Sequence, residues 1–262
     1  MKEKNTSRKR VKMSNRFEIP SSGMIHELPP ARLTIFGEQK VGKTWFASKF
    51  PDPILIQAED GAAGIPVPKM PDTPCESWDE VLQCLRVLLK EDHDRKTIII
   101  DTLDKVETLA QKHVLETEFK GDKSKYMAFY KGPIMAGDLF KTLIFALDYL
   151  HKTKKMNIVL IAHDGLQNGA NALGDDFKKF APSLSKYAWN PIRDWVDQIG
   201  HVSSEFRVID GKAKEIGKDR WIHFRGSPGR DAGCRAGYEM PEKIKLDFDE
   251  YAKHMKGKLN GI

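Results

Sequence analysis

Cysteine is scarce in this sequence, and its cysteines form no motif. The three thiols, Cys75, Cys84 and Cys234, are scattered through 262 residues without a C-x-x-C pair. An odd, scattered set of cysteines argues against a disulfide framework and against a cysteine-ligated zinc site. We therefore exclude the disulfide-rich and zinc-finger classes and expect three reduced thiols.

Long apolar runs are also missing. No stretch approaches the roughly 20 apolar residues that a membrane-spanning helix needs. The first residues, MKEKNTSRKRVKMSNRFEIP, are basic, but no apolar segment follows their charges as it would in a secretory signal. We therefore expect a cytoplasmic protein without a membrane partner.

Acidic residues are outnumbered by basic ones. The chain has 43 Lys and Arg against 37 Asp and Glu, which gives a net charge of +6. A basic balance favours a polyanionic partner such as nucleic acid. Much of the excess lies near the start of the chain, where Pro20, Pro29 and Pro30 interrupt a polar stretch. We predict a flexible basic arm over residues 1–30, a core over 31–248 and a C-terminal tail over 249–262.

Strand-length apolar runs alternate with amphipathic helical segments through the predicted core. The predicted strands are RLTIFG, PILIQAED, KTIIID and NIVLIAHDG. Consecutive isoleucines in KTIIID are typical of a parallel strand buried on both faces. NPIRDWVDQIG is predicted to be a short helix, and later segments read as strands with a hairpin turn at Asp210-Gly211. The alternation predicts an α/β fold with a mostly parallel sheet flanked by helices and a C-terminal antiparallel extension.

GEQKVGKT, residues 37–44, fits the phosphate-binding pattern G-x-x-x-x-G-K-[ST]. It follows a predicted strand and precedes a predicted helix, where loop N–H groups and the helix N-terminus can hold phosphates. Lys43 is expected to reach the β- and γ-phosphates and Thr44 to bind Mg²⁺. No N-K-x-D guanine signature is present, so we predict ATP and Mg²⁺ as cofactors. The predicted nucleotide-binding residues are Gly37, Glu38, Gln39, Lys40, Val41, Gly42, Lys43, Thr44 and Trp45.

Acidic residues follow two other predicted strands. Asp101 ends the TIIID run and can hold Mg²⁺ through water, or it can cap the next helix. Asp104 reads as a surface acid. Glu59 and Asp60 follow ILIQA, which we expect to lie next to the phosphate-binding strand. Either acid can orient the water that attacks the γ-phosphate, and we prefer Glu59.

His163 ends the NIVLIAH run. At such a strand end, a polar side chain can touch the γ-phosphate and report its presence to the following loop. A hydrogen-bonded structural histidine is the alternative.

The polar stretch from Asp164 to Phe180 combines glycines with basic and aromatic side chains. Such loops suit single-stranded nucleic acid, because bases stack on aromatic rings and phosphates pair with lysines. An ordinary surface loop is the alternative, since the stretch also has acidic residues. The predicted nucleic-acid contacts are Asn168, Phe177, Lys178 and Lys179.

A glycine-rich segment near residues 224–241 has three arginines, Arg225, Arg230 and Arg235. Arginines in such a loop can reach the nucleotide of a neighbouring subunit. Surface arginines without this role are the alternative.

The order of these motifs resembles the RecA-type P-loop ATPase core, and more closely the compact phage nucleotide-binding proteins of that class. Some of these act as single-strand annealing proteins or recombinases. The resemblance covers roughly residues 31–248. It implies that Glu59 is the catalytic glutamate, Asp101 the magnesium-linked aspartate and His163 the γ-phosphate sensor. It places the DNA-contacting loop after His163, and Arg235 best matches the arginine that acts on a partner's nucleotide.

The resemblance implies an ATPase, stimulated by DNA, that binds single-stranded DNA and assembles into rings or filaments. Its output could be annealing, strand exchange, loading or unwinding. In a phage, the protein would work in the host cytoplasm. The first alternative is a small-molecule kinase on the same scaffold, with the arginine-rich segment as a lid. The second is a nucleotide-dependent adaptor or loader with weak ATPase activity.

Overall fold

The computed structural model describes residues 28–169, 177–209 and 212–262, with the backbone alone for 205–209 and 212–218. These residues form nine strands and seven α-helices. The strands are β1 (Arg32–Gly37), β2 (Pro53–Gln57), β3 (Thr97–Asp101), β4 (Asn157–Gly169), β5 (Phe177–Pro182), β6 (Gln198–Ile209), β7 (Lys212–His223), β8 (Gly233–Cys234) and β9 (Lys243–Lys245). The helices are α1 (Lys43–Ala47), α2 (Trp78–Lys90), α3 (Leu103–Thr117), α4 (Lys123–Met127), α5 (Lys131–Lys154), α6 (Lys186–Trp195) and α7 (Phe248–His254). A short 3₁₀ helix, Ala128–Tyr130, joins α4 to α5.

The sheet has a parallel centre and an antiparallel side. Its strand order is β2-β3-β4-β1-β6-β7-β9, and the first five strands of that order are parallel. Strands β7 and β9 continue the sheet in antiparallel pairing. Strand β5 pairs antiparallel with β4, and β8 with β6. The predicted α/β fold with a parallel sheet and an antiparallel extension is confirmed.

Apolar residues that alternate along the strands fill a core on each face of the sheet. In β3, Ile98 and Ile100 pack into one core, and Ile99 packs into the other. This follows from the two-residue period of side chains in a strand. Helices α2, α3, α5 and α6 cover the first face, while α1 and α7 cover the second. The isoleucine run is therefore buried on both sides, as the sequence predicted.

The segment that the sequence assigned to a tail packs against the core. Tyr251 of α7 is fully buried, and Met255 and Leu259 join the second core. The Nδ2 atom of Asn157 donates to the backbone oxygen of Asn260 at 3.1 Å, and the Oδ1 atom of Asn157 accepts from the backbone N–H of Asn260 at 2.8 Å. This packing favours a core that continues past residue 248.

Two sequence expectations need local correction. The predicted short helix begins at Lys186, because the Ser185 hydroxyl accepts from the backbone N–H of Ala188 and caps it. It ends at Trp195, because Gln198 onward pairs with β1. The stretch predicted as an irregular loop is partly a ribbon, since 164–169 pair with 177–182. Residues 170–176 of that stretch, 1–27 of the predicted arm and the predicted turn at 210–211 lie outside the described residues.

Among the described residues, no helix is both long enough and apolar enough to cross a membrane.

Candidate functional site

The glycine loop joins the end of β1 to the start of α1. Gly42 has φ of +104°, a left-handed conformation that favours glycine, and directly precedes the helix. Gly37 packs so closely that an added Cβ would lie 2.3 Å from the backbone oxygen of Val202 in β6. The two glycine positions of the pattern therefore require glycine for different reasons. One needs a left-handed backbone, and the other needs space beside a strand.

Lys43 is held inside the loop. Its Nζ atom donates to the backbone oxygens of Gly37 at 2.8 Å and Glu38 at 2.7 Å, and the residue is buried. Burial lowers the pKa of Lys43, although nearby carboxylates such as Asp101 oppose the shift. The backbone of the glycine loop thus fixes the position of the Lys43 ammonium group.

Thr44 and Asp101 meet beside Lys43. The Thr44 hydroxyl donates to Asp101 Oδ2 at 2.6 Å, so α1 and β3 are linked side chain to side chain. Burial, the largest cause, raises the pKa of Asp101 to about 6, and the hydrogen bond from Thr44 opposes this. A hydroxyl and a carboxylate oxygen are ligands that Mg²⁺ prefers. No group of three or more His, Cys, Asp or Glu side chains that could hold a metal occurs in the described part of the chain. Magnesium here would take its other ligands from phosphate and water.

His163 lies directly beside the glycine loop. Strand β4 separates β3 from β1, and its residue His163 pairs in register with Gly37. The Nε2 atom of His163 is 3.6 Å from Glu59 Oε1. Strand β2, which precedes Glu59, was expected next to β1 but pairs with β3 instead. Glu59 reaches the site from the loop after β2, across the ends of β3 and β4.

Asp104, which the sequence suggested was a surface acid, holds His163. Its Oδ2 atom is 2.9 Å from His163 Nδ1, and its Oδ1 atom accepts from the His163 backbone N–H at 3.1 Å. Burial opposes ionisation of Asp104, but these hydrogen bonds lower its pKa below the ordinary value. The hydrogen bond that Asp104 accepts from the His163 ring is the largest cause that raises the pKa of His163. The sequence signal was an acid in the first turn of the helix that follows β3.

Lys43, Thr44, Glu59, Asp101 and His163 surround one cavity of about 560 Å³ at the carboxyl ends of the parallel strands. Open α/β sheets bind ligands at this edge. The structure thus brings most predicted nucleotide, magnesium and water-orienting residues together, although their roles remain predictions. The cavity is lined by Gln39, Lys40, Gly42, Lys43, Thr44, Trp45, Glu59, Asp60, Gly61, Ile65, Asp101, Thr102 and His163.

A second cavity, of about 470 Å³, shares Gly42 and Trp45 with the first. Its wall includes Arg220 of β7, whose Nη1 atom donates to the backbone oxygen of Val41 at 2.9 Å. The Arg220 contact therefore ties the antiparallel extension to the glycine loop. Nothing in the local sequence around residue 220 predicted it, because the contact depends on how β7 pairs in the sheet.

The predicted nucleic-acid residues all lie on the β4–β5 ribbon. Asn168 pairs in register with Lys178, and Gly169 pairs with Phe177. Lys178 is exposed. The Nζ atom of Lys179 is 3.6 Å from Asp231 Oδ2, so this lysine has an acidic neighbour within the chain. The two neighbouring lysines therefore differ in exposure and in the charge beside them.

Arg235 lies at the opposite edge of the sheet from the cavity. Its Nη2 atom donates to the backbone oxygen of Asp194 at 2.7 Å, and its Nη1 atom is 3.4 Å from Asp197 Oδ1. The Asp197 backbone N–H donates to the backbone oxygen of Arg32 at the start of β1, where the strand enters the sheet. Within its own chain, Arg235 does not line the first cavity.

Comparison with known families gives one match. A family model described as an AAA domain matches residues 29–236, which is more than half of the chain and includes every side chain that lines the first cavity. No curated protein matches the chain in sequence.

Proposed function

Since the chain belongs to the AAA domain family of P-loop ATPases, we propose that it hydrolyses ATP with Mg²⁺ and couples hydrolysis to the binding of single-stranded DNA. The setting would be recombination, annealing or replication, as in the RecA-like proteins of phage type that the motif order resembles. The coarse part of this proposal, a nucleotide-binding P-loop ATPase, follows from the family. The DNA partner and the phage setting are the finer part.

The observation that carries the proposal is the meeting of four groups around one cavity. Lys43 supplies a buried cation, and the Thr44–Asp101 pair supplies oxygen ligands 2.6 Å apart. Glu59, from the loop after β2, and His163, from β4, line the same cavity. Phosphoryl transfer needs little beyond positioning and charge stabilisation, which is what such a set of groups supplies.

The chain's own residues would act on ATP in distinct ways. Lys43 would leave its two backbone acceptors for the β- and γ-phosphate oxygens. Bound Mg²⁺ would neutralise charge that develops on the phosphates. Glu59 would orient the attacking water. His163, whose Nδ1 atom is hydrogen-bonded to Asp104, would contact the γ-phosphate through Nε2 and donate a hydrogen bond to it when the ring is protonated. The adjoining cavity beside Trp45 offers space for the nucleoside.

Strand β4 supports coupling between ATP and DNA. His163 lies within β4, and the same strand continues directly into the ribbon with Asn168 and the paired Lys178. A shift of His163 toward a γ-phosphate would therefore move the base of the ribbon, as in switch segments ordered by that phosphate. We propose Lys178 as the principal phosphate contact, because Lys179 has Asp231 beside it.

RecA-like assembly into a ring or filament is part of the same proposal. Arg235 is predicted to act on the nucleotide of a neighbouring subunit, because it lies at the edge of the sheet opposite the cavity and cannot reach a nucleotide bound to its own chain. Its contacts with Asp194 and Asp197 would have to be released or shared in such an assembly.

The first experiment measures ATP hydrolysis with and without single-stranded DNA for the wild type, Lys43→Ala, Glu59→Gln and the exposed control Glu91→Gln. We expect DNA to stimulate the wild type and the control, and both site variants to lose at least about a hundred-fold in kcat. Hydrolysis that is indifferent to DNA, with no DNA binding in ATP at low salt, would refute the DNA coupling. Phosphoryl acceptors would then be screened for a kinase activity.

A second experiment tests the ribbon. Lys178→Ala is expected to weaken binding of single-stranded DNA and to reduce the salt dependence of log K by about 0.7, the value for one phosphate contact. The exposed Lys90→Ala on α2 is the matched control and is expected to leave both quantities unchanged. An unchanged salt dependence in Lys178→Ala would remove the ribbon from the DNA site.

A further inference from the structure

The outer face of α5 exposes large apolar side chains along most of its length. Phe145 is 73% exposed, Tyr149 52% and Ile134 42%. Tyr130, the residue before the helix, is 61% exposed. Isolated exposed apolar residues are ordinary, but a contiguous set on one helix marks an interaction surface.

These residues form one stripe, with an ion pair at its middle. Spacings of three and four residues place Ile134, Asp138, Lys141, Phe145 and Tyr149 on the same face of the helix, and Tyr130 directly precedes its first turn. Lys141 Nζ is 2.6 Å from Asp138 Oδ1, and both side chains are more than half exposed. We define the α5 stripe by its members, Tyr130, Ile134, Asp138, Lys141, Phe145 and Tyr149.

The classes of residue along the α5 stripe follow the same order from either end. From its centre outward it has a charged, an apolar and an aromatic residue on each side, at the same spacings. Two copies packed antiparallel would therefore match like with like at the ends and opposite charges at the centre. In that register the facing pairs are Tyr130 with Tyr149, Ile134 with Phe145, and Asp138 with Lys141.

We propose that the α5 stripe is a two-fold interface at which two copies of this chain pair through antiparallel α5 helices. In a two-fold interface, residue i contacts j while j contacts i, and the α5 stripe satisfies this pattern at all three levels. Nucleic acid is a poorer occupant, because Asp138 cancels the charge of Lys141. The 24-residue helix is about 36 Å long, so the interface would be small, and we expect its dimer to be weak, with a Kd of about a micromolar.

The interface is separate from the nucleotide cavity, since none of the cavity-lining residues belongs to α5. It also differs in kind from a ring or filament contact, which joins two unlike surfaces. Pairing through α5 would thus form dimers without nucleotide, or would link two assemblies back to back.

Sedimentation equilibrium of the full chain without nucleotide tests this. The wild type is expected to reach a mass of twice 29.8 kDa as its concentration rises. Lys141→Asp would gather four carboxylates at the centre and Asp138→Lys four ammonium groups, so each is expected to weaken the dimer at least about ten-fold. The double variant Asp138→Lys/Lys141→Asp restores opposite charges, and its dimer is expected to return.

The control is Lys253→Asp, which reverses one charge of the exposed Lys253–Glu250 pair on α7. It is expected to dimerise like the wild type. Phe145→Lys is expected to be monomeric and to keep its ATP hydrolysis, which separates loss of the dimer from loss of the fold. A monomeric wild type at about 100 µM, well above a micromolar Kd, would overturn the proposal. So would a double variant that stays monomeric, or a dimer unaffected by any change in the α5 stripe.

Discussion

Single contacts at residue scale decide which atoms of the site can act. Asp104 illustrates this, because one carboxylate holds both the backbone and the ring of His163. The ring nitrogen that faces Glu59 is thereby left to the cavity. Without this carboxylate, the His163 ring would lose the hydrogen bond at Nδ1 that orients it.

We predict that Asp104→Asn lowers kcat for ATP hydrolysis about ten-fold or more with little change in KM, because His163 loses its orientation. The variant also removes the main cause of the raised pKa of His163. The ring titration followed by NMR is therefore expected to move to lower pH. The exposed Asp94→Asn serves as the control for both measurements. A lower kcat without any change in the histidine titration would show that Asp104 acts otherwise.

His201 in β6 is the second residue whose charge matters. It is buried and stacked between Phe36 and Phe180, with ring centroids at 4.8 and 5.2 Å. Its Nδ1 atom has no hydrogen-bond partner in the described part of the chain. Burial, helped by Arg230, lowers the pKa of His201 to about 3. The ring is therefore neutral in the folded state at physiological pH.

The lowered pKa of His201 makes folding stability depend on pH. The unfolded chain, with a histidine pKa near 6.5, binds the proton between pH 6.5 and 3, and the folded chain does not. The contribution of neutral His201 to the free energy of unfolding is therefore present above about pH 6.5, and it is lost progressively as the pH drops below that value. Between pH 7 and 5, we predict that the wild type loses about 2 kcal/mol more than His201→Phe, measured by denaturant unfolding.

The control for this measurement is His254→Phe, which changes an exposed histidine. It is expected to lose stability with pH as the wild type does. Equal pH dependence in the wild type and His201→Phe would mean that His201 is protonated in the fold.

At the scale of elements, strand pairing determines the geometry of the glycine loop. Strand β1 lies between β4 and β6, so Gly37 has His163 on one side and Val202 on the other. Arg220 of β7 then reaches the loop from beyond β6. The phosphate-binding segment is thus fixed by three strands that are distant in sequence.

Gly37→Ala is predicted to destabilise this arrangement by about 3 kcal/mol, because the clash is with a backbone oxygen that cannot rotate away. ATP binding is expected to weaken as well, since the loop starts at this residue. Gly64→Ala is the matched control, because an added Cβ there would meet no atom within 4 Å. Thermal unfolding and nucleotide titration would measure the two effects. An unchanged Tm in Gly37→Ala would mean that β1 and β6 can move apart to accommodate the added Cβ without a loss in the free energy of unfolding.

For the whole molecule, the C-terminal segment completes the second face of the sheet. The Tyr251 hydroxyl donates to Gln198 Oε1, and the Asn157 side chain pairs with the Asn260 backbone. These contacts connect the last residues to β4 and β6 at the edge opposite the cavity. The core therefore depends on residues at the end of the sequence.

A chain that ends at Asp247 is predicted to lose cooperative unfolding, because it exposes the second core and leaves the buried Asn157 amide short of partners. A chain that ends at Asn260 keeps every one of these contacts and is the matched control. Circular dichroism melting would compare the two. Cooperative melting of the shorter chain would show that the core folds without residues 248–260.

The sequence by itself determined the alternation of strands and helices, the parallel sheet buried on both faces, and the glycine loop with Lys43 and Thr44. These features depend on local periodicity and on short motifs, which the order of residues records directly. It also indicated Asp101, Glu59 and His163, since polar residues that end buried strands meet at one edge of a parallel sheet.

Only the tertiary structure decided the partners of these residues. Strand order and register determine three of these contacts: the hydrogen bonds between Asp104 and His163, the hydrogen bond from Arg220 to Val41, and the proximity of Lys179 to Asp231. The same holds for Arg235, which the fold places at the far edge of the sheet. Contacts between residues far apart in sequence follow from how elements pack, and no local pattern encodes that packing.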